Sequence, residues 1–330
     1  IWQSSGTSIV VNGSATLSGG TGLDNLYVDS YTTASLNGGD GNDNLSVNDS
    51  RTVTLHGDAG NDSLSTNNVR NSSLYGDAGD DTLYGTVYSN MPGNFGNQDG
   101  YNNANKTALL DGGDGNDTLN ANTNTTTWSG QVSLTLQGGL GNDRLTVTDS
   151  QAGSAMYAST SYGVANANLD GGAGDDVLSA SGVLQLNMTG GAGSDTFVLT
   201  AQQYRTVVEG TRSFYGMNTP SMDPMALISN TTLITASATV IVDFTVGAGQ
   251  DVLDVSDLLR NGVIGFDGSN PFTSGHLKLQ QSGADTQVVF DADGALGLAK
   301  SGVVIAVLQN VNAADLVAAN FSPAYPPDGS

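Results

Sequence analysis

The chain has 330 residues, with 9 lysines and arginines against 32 aspartates and glutamates, and it contains no cysteine. Its formal net charge of −23 argues against nucleic acid and anionic membranes as partners, because both are bound through clustered basic residues. Disulfides and thiolate metal sites are excluded, and no apolar run of about 18 residues could insert into a membrane. Such strong self-repulsion favours bound cations.

A short unit with the pattern G-[GD]-x-G-x-D-x-[LF] recurs along the first 200 residues. Its copies are spaced by 19 residues, except for three longer gaps of 36, 26 and 33. A fixed period with the same glycine and aspartate positions is typical of a solenoid. The eight copies begin at Gly19, Gly38, Gly57, Gly76, Gly112, Gly138, Gly171 and Gly190.

Each 19-residue unit predicts two short strands and two turns. The paired glycines favour a tight turn. In the following segment, Asp43-Asn44-Leu45-Ser46-Val47, apolar residues alternate with polar ones, which indicates a strand. Stacked copies would bury two facing apolar rows, which no single coil could bury alone. One row is Leu26, Leu45, Leu64, Leu83, Leu119, Leu145, Leu178 and Phe197, and the other is Leu17, Leu36, Leu55, Leu74, Leu110, Leu136, Leu169 and Met188. The sequence therefore predicts an all-β parallel β-roll of about eight coils over residues 1–200.

The longer gaps predict loop insertions near residues 86–106, 121–132 and 148–167. All three fall at the edge opposite the Gly-Asp turns, and insertions gathered on one face of a solenoid often form its binding face. The alternative is that their aromatic side chains fold back over the strand edges as lids. The candidate residues for ligand or partner contact are Tyr88, Phe95, Tyr101, Trp128, Tyr157 and Tyr162.

The sixth position of the motif is aspartate in every copy. Stacking would place neighbouring carboxylates about one strand spacing of 4.8 Å apart, where they would repel unless a cation lay between them. Calcium fits best because it accepts six to eight oxygens, whereas magnesium demands a tighter octahedron and zinc prefers histidine and cysteine, which are missing here. A single copy would indicate only a Gly-Asp turn, but eight copies predict metal binding. The aspartate row is Asp24, Asp43, Asp62, Asp81, Asp117, Asp143, Asp176 and Asp195. Further side-chain oxygens in the turns come from Asp40, Asn42, Asp58, Asp77, Asp80 and Asp114.

Segments such as GGDGNDNLS and GDAGNDSLS resemble the nonapeptide repeats of RTX proteins, and the resemblance covers roughly residues 17–200. It implies a right-handed, calcium-dependent β-roll in which the aspartate row and the carbonyls of motif positions one, three and five bind the ions. Because the motif recurs once per coil, we expect ions along one edge only, at most about seven. The residues assigned to these sites, besides the aspartate row, are Gly19, Thr21, Gly38, Asp40, Asn42, Gly57, Ala59, Asn61, Gly76, Ala78, Asp80, Gly112, Asp114, Asn116, Gly138, Asn142, Gly171, Ala173, Asp175, Gly190 and Ala192. Leu23, Leu140 and Ser194 replace the usual polar residues, so the sites that involve them are expected to be weaker.

Residues 201–236 lack the motif and are expected to form a crossover or long loop, and residues 237–330 predict a separate β-rich, capping domain. There, VIVDFTVGAGQDVLDVSDLL and VVIAVLQNVNAADLVAANF resemble the C-terminal target domain of RTX adhesins that leave the cell by type I secretion. The resemblance implies an extracellular or cell-surface protein. Asp243, Asp251 and Asp254 form either a further cation or capping site or a solvated turn.

No catalytic motif of the HExxH, G-x-S-x-G or Walker type occurs, and Glu209 is the only glutamate. The two histidines, His56 and His276, stand alone in the sequence, and His56 is expected to be a surface residue. We therefore expect no enzymatic activity. The leading expectation is a secreted calcium-binding structural protein of the cell surface that forms a homo-oligomer or polymer, as in a surface layer or filament. The alternatives are an adhesin module whose aromatic loops bind a cell-surface polysaccharide or a host surface, and the non-catalytic C-terminal part of a secreted enzyme.

Overall fold

The computed structural model describes residues 11–88, 105–124, 131–149, 165–201, 203, 237–263, 266–294 and 302–327. Within these residues the strands are β1 (Val11–Thr21), β2 (Asn25–Asp29), β3 (Tyr31–Asp40), β4 (Asn44–Asn48), β5 (Thr52–Ala59), β6 (Ser63–Asn67), β7 (Asn71–Ala78), β8 (Thr82–Tyr88), β9 (Lys106–Asp114), β10 (Thr118–Asn124), β11 (Val132–Leu140), β12 (Arg144–Asp149), β13 (Ala165–Ala173), β14 (Val177–Ser181), β15 (Gln185–Ala192), β16 (Thr196–Leu199), β17 (Thr239–Ile241), β18 (Val252–Asp254), β19 (Leu277–Ser282), β20 (Asp285–Phe290), β21 (Val303–Leu308) and β22 (Phe321–Ser322).

The strands form two sheets, and up to β18 each coil contributes one strand to each sheet. The first sheet has the order β1-β3-β5-β7-β9-β11-β13-β15-β17-β21-β20-β19, and the second has the order β2-β4-β6-β8-β10-β12-β14-β16-β18-β22. Neighbouring strands of the repeats pair in parallel, as in β3 with β5 and β4 with β6. The parallel β-roll predicted from the sequence is therefore confirmed.

The two apolar rows lie in register, each leucine directly beside its equivalent in the next coil. Leu55 pairs with Leu74 in the first sheet, and Leu45 pairs with Leu64 in the second. All four side chains are fully buried between the sheets. Burying a leucine stabilises a fold by about 1.5–3 kcal/mol, so the repeated pair gives every coil its share of one continuous core. The predicted core is confirmed except in the first coil, where Leu17 is 37% exposed and Leu26 is half-buried.

The sheets continue beyond residue 200, where the sequence analysis ended the roll. Ile241 pairs with Met188 in the first sheet, and Leu253 pairs with Phe197 in the second. Both side chains are fully buried, and the rows continue to the buried Leu308 and Phe321, which pair with Ile241 and Leu253. The signal for this coil was weak because Val246 occupies the place of the first motif glycine in V-G-A-G-Q-D-V-L.

The C-terminal part closes this end of the roll. The α-helix α1 (Ser256–Gly262) packs Leu258 and Leu259 into the core, and α2 (Pro271–Ser274) is a single turn. Two 3₁₀ turns, Ala313–Asp315 and Ala318–Asn320, precede β22. Strands β19, β20 and β21 form an antiparallel meander that joins the first sheet through the parallel pairing of β21 with β17.

The segments predicted as insertions begin where a strand of the second sheet ends. β8 ends at Tyr88 and β9 begins at Lys106, while β10 and β12 end at Asn124 and Asp149. Of the six aromatic candidates, Phe95, Tyr101, Trp128, Tyr157 and Tyr162 lie outside the described residues. Tyr88 is the last residue of β8, and its side chain lies outside the description too. The predicted crossover at 201–236 also falls outside, apart from residues 201 and 203.

Candidate metal centre

The Gly-Asp turns connect each strand of the first sheet to the following strand of the second, and all of them lie along one edge of the roll. The side chains of the aspartate row point into these turns. Seven of them, from Asp43 to Asp195, are no more than 3% exposed, while Asp24 in the terminal coil is half-buried. Carboxylates are rarely buried to this extent unless they are paired or bind a metal.

One oxygen of each buried carboxylate accepts a hydrogen bond from the backbone of the preceding coil. The backbone N–H of Asp43 donates to Oδ1 of Asp62 at 2.7 Å, and the N–H of Asp62 donates to Oδ1 of Asp81 at the same distance. The pattern holds along the whole row, with donor–acceptor distances of 2.7 to 2.9 Å. These charge-assisted bonds fix every carboxylate relative to the next coil.

The other oxygen has no such partner. Among the described residues, Oδ2 of all eight aspartates in the row is buried and accepts no hydrogen bond. Buried polar atoms are almost always satisfied, and an unpaired carboxylate oxygen is more costly than a neutral one. Eight buried oxygens in a row without hydrogen-bond partners indicate that a cation coordinated by oxygen atoms belongs beside them.

The first glycine of the motif forms the wall of this space. A Cβ atom on Gly38 would lie 2.4 Å from Oδ2 of Asp43 and 2.8 Å from the carbonyl oxygen of Gly57 in the next coil. Gly57 and Gly76 show the same arrangement with Asp62 and Asp81. Glycine is therefore required here by space, because any side chain would fill the place where the carboxylate and the carbonyl converge.

The carbonyl oxygens of motif position three hydrogen-bond the preceding turn. The N–H of Gly41 donates to the carbonyl of Ala59 at 2.7 Å, and the N–H of Gly60 donates to the carbonyl of Ala78 at 2.8 Å. A carbonyl oxygen has two lone pairs, so this bond leaves one pair for a cation.

The side chains of position five form a second ladder that runs in the opposite direction to the aspartate row. Oδ1 of Asn42 accepts from the N–H of Asn61, and Oδ1 of Asn61 accepts from the N–H of Asp80. These side chains therefore hold the turns together, which makes their carbonyls, and not their side chains, the groups available to a cation.

Burial raises the pKa of six aspartates of the row, from Asp62 to Asp195, in the absence of a cation. It raises the pKa of Asp81 and Asp176 to about 7, and that of Asp117 and Asp195 to about 6. The backbone N–H of the preceding aspartate opposes this shift, whereas neighbouring carboxylates such as Asp62 and Asp117 add to the rise at Asp81. A bound cation would reverse the shift, since it favours the charged carboxylate.

The chemistry of the donor set fits calcium. Each gap between turns offers a carboxylate oxygen and several carbonyl oxygens, with neither nitrogen nor sulfur among them. A bound Ca²⁺ would supply the positive charge that the Oδ2 atoms lack, and its flexible coordination suits donors from two turns.

A comparison with protein families matches the RTX calcium-binding nonapeptide repeat at residues 53–68, 70–86, 109–124 and 163–182. These four segments cover the third, fourth, fifth and seventh copies of the motif. The chain carries RTX calcium-binding repeats. These repeats indicate a calcium-binding protein of the RTX type, and RTX repeat proteins are typically secreted. A comparison with curated proteins finds no match.

The aspartate row ends in the ninth coil. Oδ1 of Asp251 accepts from the N–H of Asp195, as in the repeats, but its Oδ2 accepts from the N–H of Thr245 at 2.7 Å. The Asp243 carboxylate accepts from the N–H groups of Gly190 and Gly191. Both residues therefore cap the last Gly-Asp turn, and Asp254 lies apart, accepting from the N–H of Ser256.

The three residues that depart from the RTX pattern occupy different environments. Leu23 is 72% exposed in the terminal coil, and Leu140 is 57% exposed on the edge. Because position three contributes its carbonyl, which in Leu140 accepts from the N–H of Gly115, the side chain itself replaces no ligand. The Ser194 hydroxyl donates to carbonyls of Gly249 and Gln250 and so joins the eighth turn to the ninth.

His56 is a surface residue, as expected, with 39% of its side chain exposed, but it does not stand alone. On the outer face of the first sheet, Nδ1 of His56 lies 3.0 Å from Oδ2 of Asp77, and Asp58 is close to both. The signal was present in the sequence, since Asp58 and Asp77 replace glycine at motif position two in the two copies nearest His56.

Proposed function

We propose that this chain is a secreted structural module of the cell surface that calcium folds and that assembles with itself, without enzymatic activity of its own. The row of orphaned Oδ2 atoms supports calcium-driven folding. Without a cation the folded state must hold eight buried oxygens without partners, whereas in the unfolded chain water solvates them. Each site that binds only the folded state stabilises it by RT ln(1 + [L]/Kd), which is about 2.7 kcal/mol when the ion is at 100 Kd.

Self-assembly is supported by the terminal coil. Leu17, whose equivalents in the next seven coils are nearly or fully buried, is 37% exposed, and Leu23 and Tyr27 of the same coil are 72% and 59% exposed. Among the described residues, β1 and β2 are the outermost strands of their sheets, and their backbone and these side chains offer a template for another roll. Within the described residues, no helix is long and apolar enough to cross a membrane.

The test is a calcium titration of an EDTA-stripped sample followed by circular dichroism and light scattering. We expect a transition from coil to β structure together with growth of particle mass. A transition at constant mass would contradict self-assembly and favour an adhesin module or the tail of a secreted enzyme. The absence of a transition would overturn calcium-driven folding. A parallel titration with magnesium serves as the control for ionic strength and charge screening.

A matched pair of variants separates assembly from folding. Leu23→Asn restores the residue type found at position five in four other copies, so it should keep the calcium transition and reduce the growth of mass. Leu140→Ala removes a comparably exposed leucine from the middle of the roll and should change neither quantity. Equal assembly of Leu23→Asn and the unaltered chain would contradict contacts through the terminal coil.

A further inference from the structure

A second group of metal-binding side chains lies outside the aspartate row. His56 and Asp58 are on β5 and Asp77 is on β7, and one donor atom of each lies within 4.8 Å of the other two. These three residues are called the His56 cluster below. They lie on the outer face of the first sheet, whereas the aspartate row points into the turns.

The strand pairing explains why the three side chains meet. His56 and Asp58 are two residues apart on one strand and therefore share a face. His56 pairs with Tyr75 of the neighbouring strand, and Asp77 follows Tyr75 by two residues, which brings it to the same face. The imidazole stacks on the Tyr75 ring, with centroids 4.6 Å apart and an angle of 10° between the planes. This contact holds the His56 ring in the orientation that directs Nδ1 at Asp77.

The two aspartates occupy positions that glycine fills in the other six copies. Asp58 and Asp77 have positive φ angles of 70° and 74°, in the left-handed region. A non-glycine residue there costs free energy, although aspartate tolerates the region better than most residues. Both strained backbone positions lie in the two copies of the motif whose aspartate side chains come close to His56.

The mixed donor set differs in chemistry from the calcium row. One imidazole nitrogen and two carboxylate oxygens suit zinc and similar divalent transition metals, whereas calcium takes oxygen donors. A tetrahedral ion with bonds of about 2.1 Å needs donors about 3.4 Å apart, which small side-chain rotations of the cluster can reach. Because His56 and Asp77 are each 39% exposed, water can complete the coordination.

A further carboxylate lies beside the cluster. Asp111 of the next coil pairs with Tyr75, and its pKa is raised by burial and by Asp77. We propose that His56, Asp58 and Asp77 form a binding site for one divalent transition-metal ion, separate from the calcium row. The ion would join two neighbouring coils on the outer face of the first sheet, whereas calcium would join the turns from the inside.

The experiment is a Zn²⁺ titration of the full chain in saturating calcium, measured by calorimetry, with the Co²⁺ absorption spectrum as a second readout. We expect one equivalent of Zn²⁺ to bind to the unaltered chain and a Co²⁺ spectrum that shows nitrogen ligation. The double variant Asp58→Gly/Asp77→Gly and the single variant His56→Gln should each lose this binding. Glycine is the residue of the other copies, so the double variant relieves strain and should keep the calcium-dependent circular dichroism.

His276→Gln is the matched control, because His276 is the other histidine of the chain and contacts the carbonyl of Asp291 through Nδ1. It should bind Zn²⁺ like the unaltered chain. The proposal is overturned if the unaltered chain and the double variant bind Zn²⁺ equally, or if His56→Gln retains the binding and the Co²⁺ spectrum. In either case the His56–Asp77 contact would be a surface ion pair and nothing more.

Discussion

At the scale of the residue, the two oxygens of each row aspartate have different tasks. In Asp62, Oδ1 accepts a hydrogen bond from the N–H of Asp43, while Oδ2 faces the space lined by Gly57 and the carbonyl of Gly76. Asparagine has the same shape and can keep the first contact, but it brings an uncharged amide to the second. Comparing the two side chains therefore isolates the role of Oδ2.

We predict that Asp62→Asn raises the calcium concentration at the folding midpoint, because the unpartnered Oδ2 loses its charge beside Gly57 and the carbonyl of Gly76. A site lost removes up to about 2.7 kcal/mol at an ion concentration of 100 Kd. The midpoint is measured by circular dichroism during a calcium titration.

Asp40→Asn is the control for this substitution. Asp40 lies in a neighbouring turn and is exposed, and the structure assigns its carbonyl, not its carboxylate, to the inter-turn contact with Gly22. The variant makes the same charge change and should shift the midpoint only slightly. Equal shifts in both variants would mean that general charge, and not ligation by Oδ2, controls the calcium dependence.

The lack of room for a side chain can be tested at Gly57, the first motif glycine of the same turn. A Cβ at Gly57 would lie 2.3 Å from Oδ2 of Asp62 and 2.6 Å from the carbonyl of Gly76, so Gly57→Ala should impair the calcium transition about as much as Asp62→Asn. Gly262→Ala adds the same methyl group at the end of α1, far from the aspartate row, where its contacts of 3.3–3.4 Å with Phe290 and Leu258 require those side chains to shift by only a few tenths of an ångström. It should leave the calcium midpoint unchanged. A normal calcium titration of Gly57→Ala would contradict the convergence of the two oxygens at this glycine.

At the scale of the element, the position of a strand in the stack decides how much its leucine contributes to the free energy of unfolding. Leu64 of β6 is fully buried between Leu45 and Leu83, whereas the equivalent Leu26 of β2 pairs, within the described part of the chain, with Leu45 alone and is half-buried. We predict that Leu64→Ala costs about 2–5 kcal/mol of unfolding free energy in saturating calcium, and that Leu26→Ala costs less than half as much. Denaturant unfolding of the two variants measures the difference. Equal losses would mean that the terminal coil is covered in solution, which would itself support end-to-end assembly.

The sequence predicts the repeats well because each coil is specified locally. The glycine, aspartate and leucine positions recur in every copy, so the strands, both apolar rows and the aspartate row follow from one pattern. The ninth coil could not be found this way, since Val246 replaces the first glycine of the motif in the sequence. The strand pairing puts Asp243 at the place of Gly190, but Asp251 follows Asp243 by eight positions, whereas Asp195 follows Gly190 by five. The place of the ninth coil depends on tertiary contacts such as the buried Asn320, whose side chain donates to the Asp251 carbonyl and accepts from the N–H of Gly247.

The His56 cluster was missed for a related reason. Its members are 21 residues apart at most, and neither Asp58 nor Asp77 forms a recognised motif with a histidine. They come together only because β5 and β7 pair with His56 beside Tyr75. The register of the paired strands decides which residues of neighbouring coils come into contact. Aligning the copies by motif position would have placed all three residues on adjacent coils.

At the scale of the whole molecule, the buried carboxylates couple folding to pH. Their pKa in the unfolded chain is near the ordinary value of 3.8, and in the folded, cation-free roll it rises to about 7 at Asp81 and Asp176. Between these values the folded state binds more protons than the unfolded state. The stability of the cation-free roll is therefore greatest below the unfolded value and is lost as the pH rises to about 7. The net charge of −23 at pH 7 acts in the same direction, because self-repulsion grows as the carboxylates ionise.

Calcium removes this dependence, because the calcium-bound row is ionised, as is the unfolded chain at any pH well above 3.8. We predict that the EDTA-stripped chain gains β structure when the pH falls from about 7.5 to about 5.5, a range that stays above the pI of 4.1. Over the same range the calcium concentration at the folding midpoint should fall, because protonation already stabilises the cation-free roll and less calcium is needed to fold it. Circular dichroism at both pH values, with and without calcium, measures both effects in one preparation. If the cation-free chain gains no structure at the lower pH and the calcium midpoint does not fall, burial of the row cannot be what opposes folding without calcium, and the source of the calcium dependence must be sought in the general charge of the molecule.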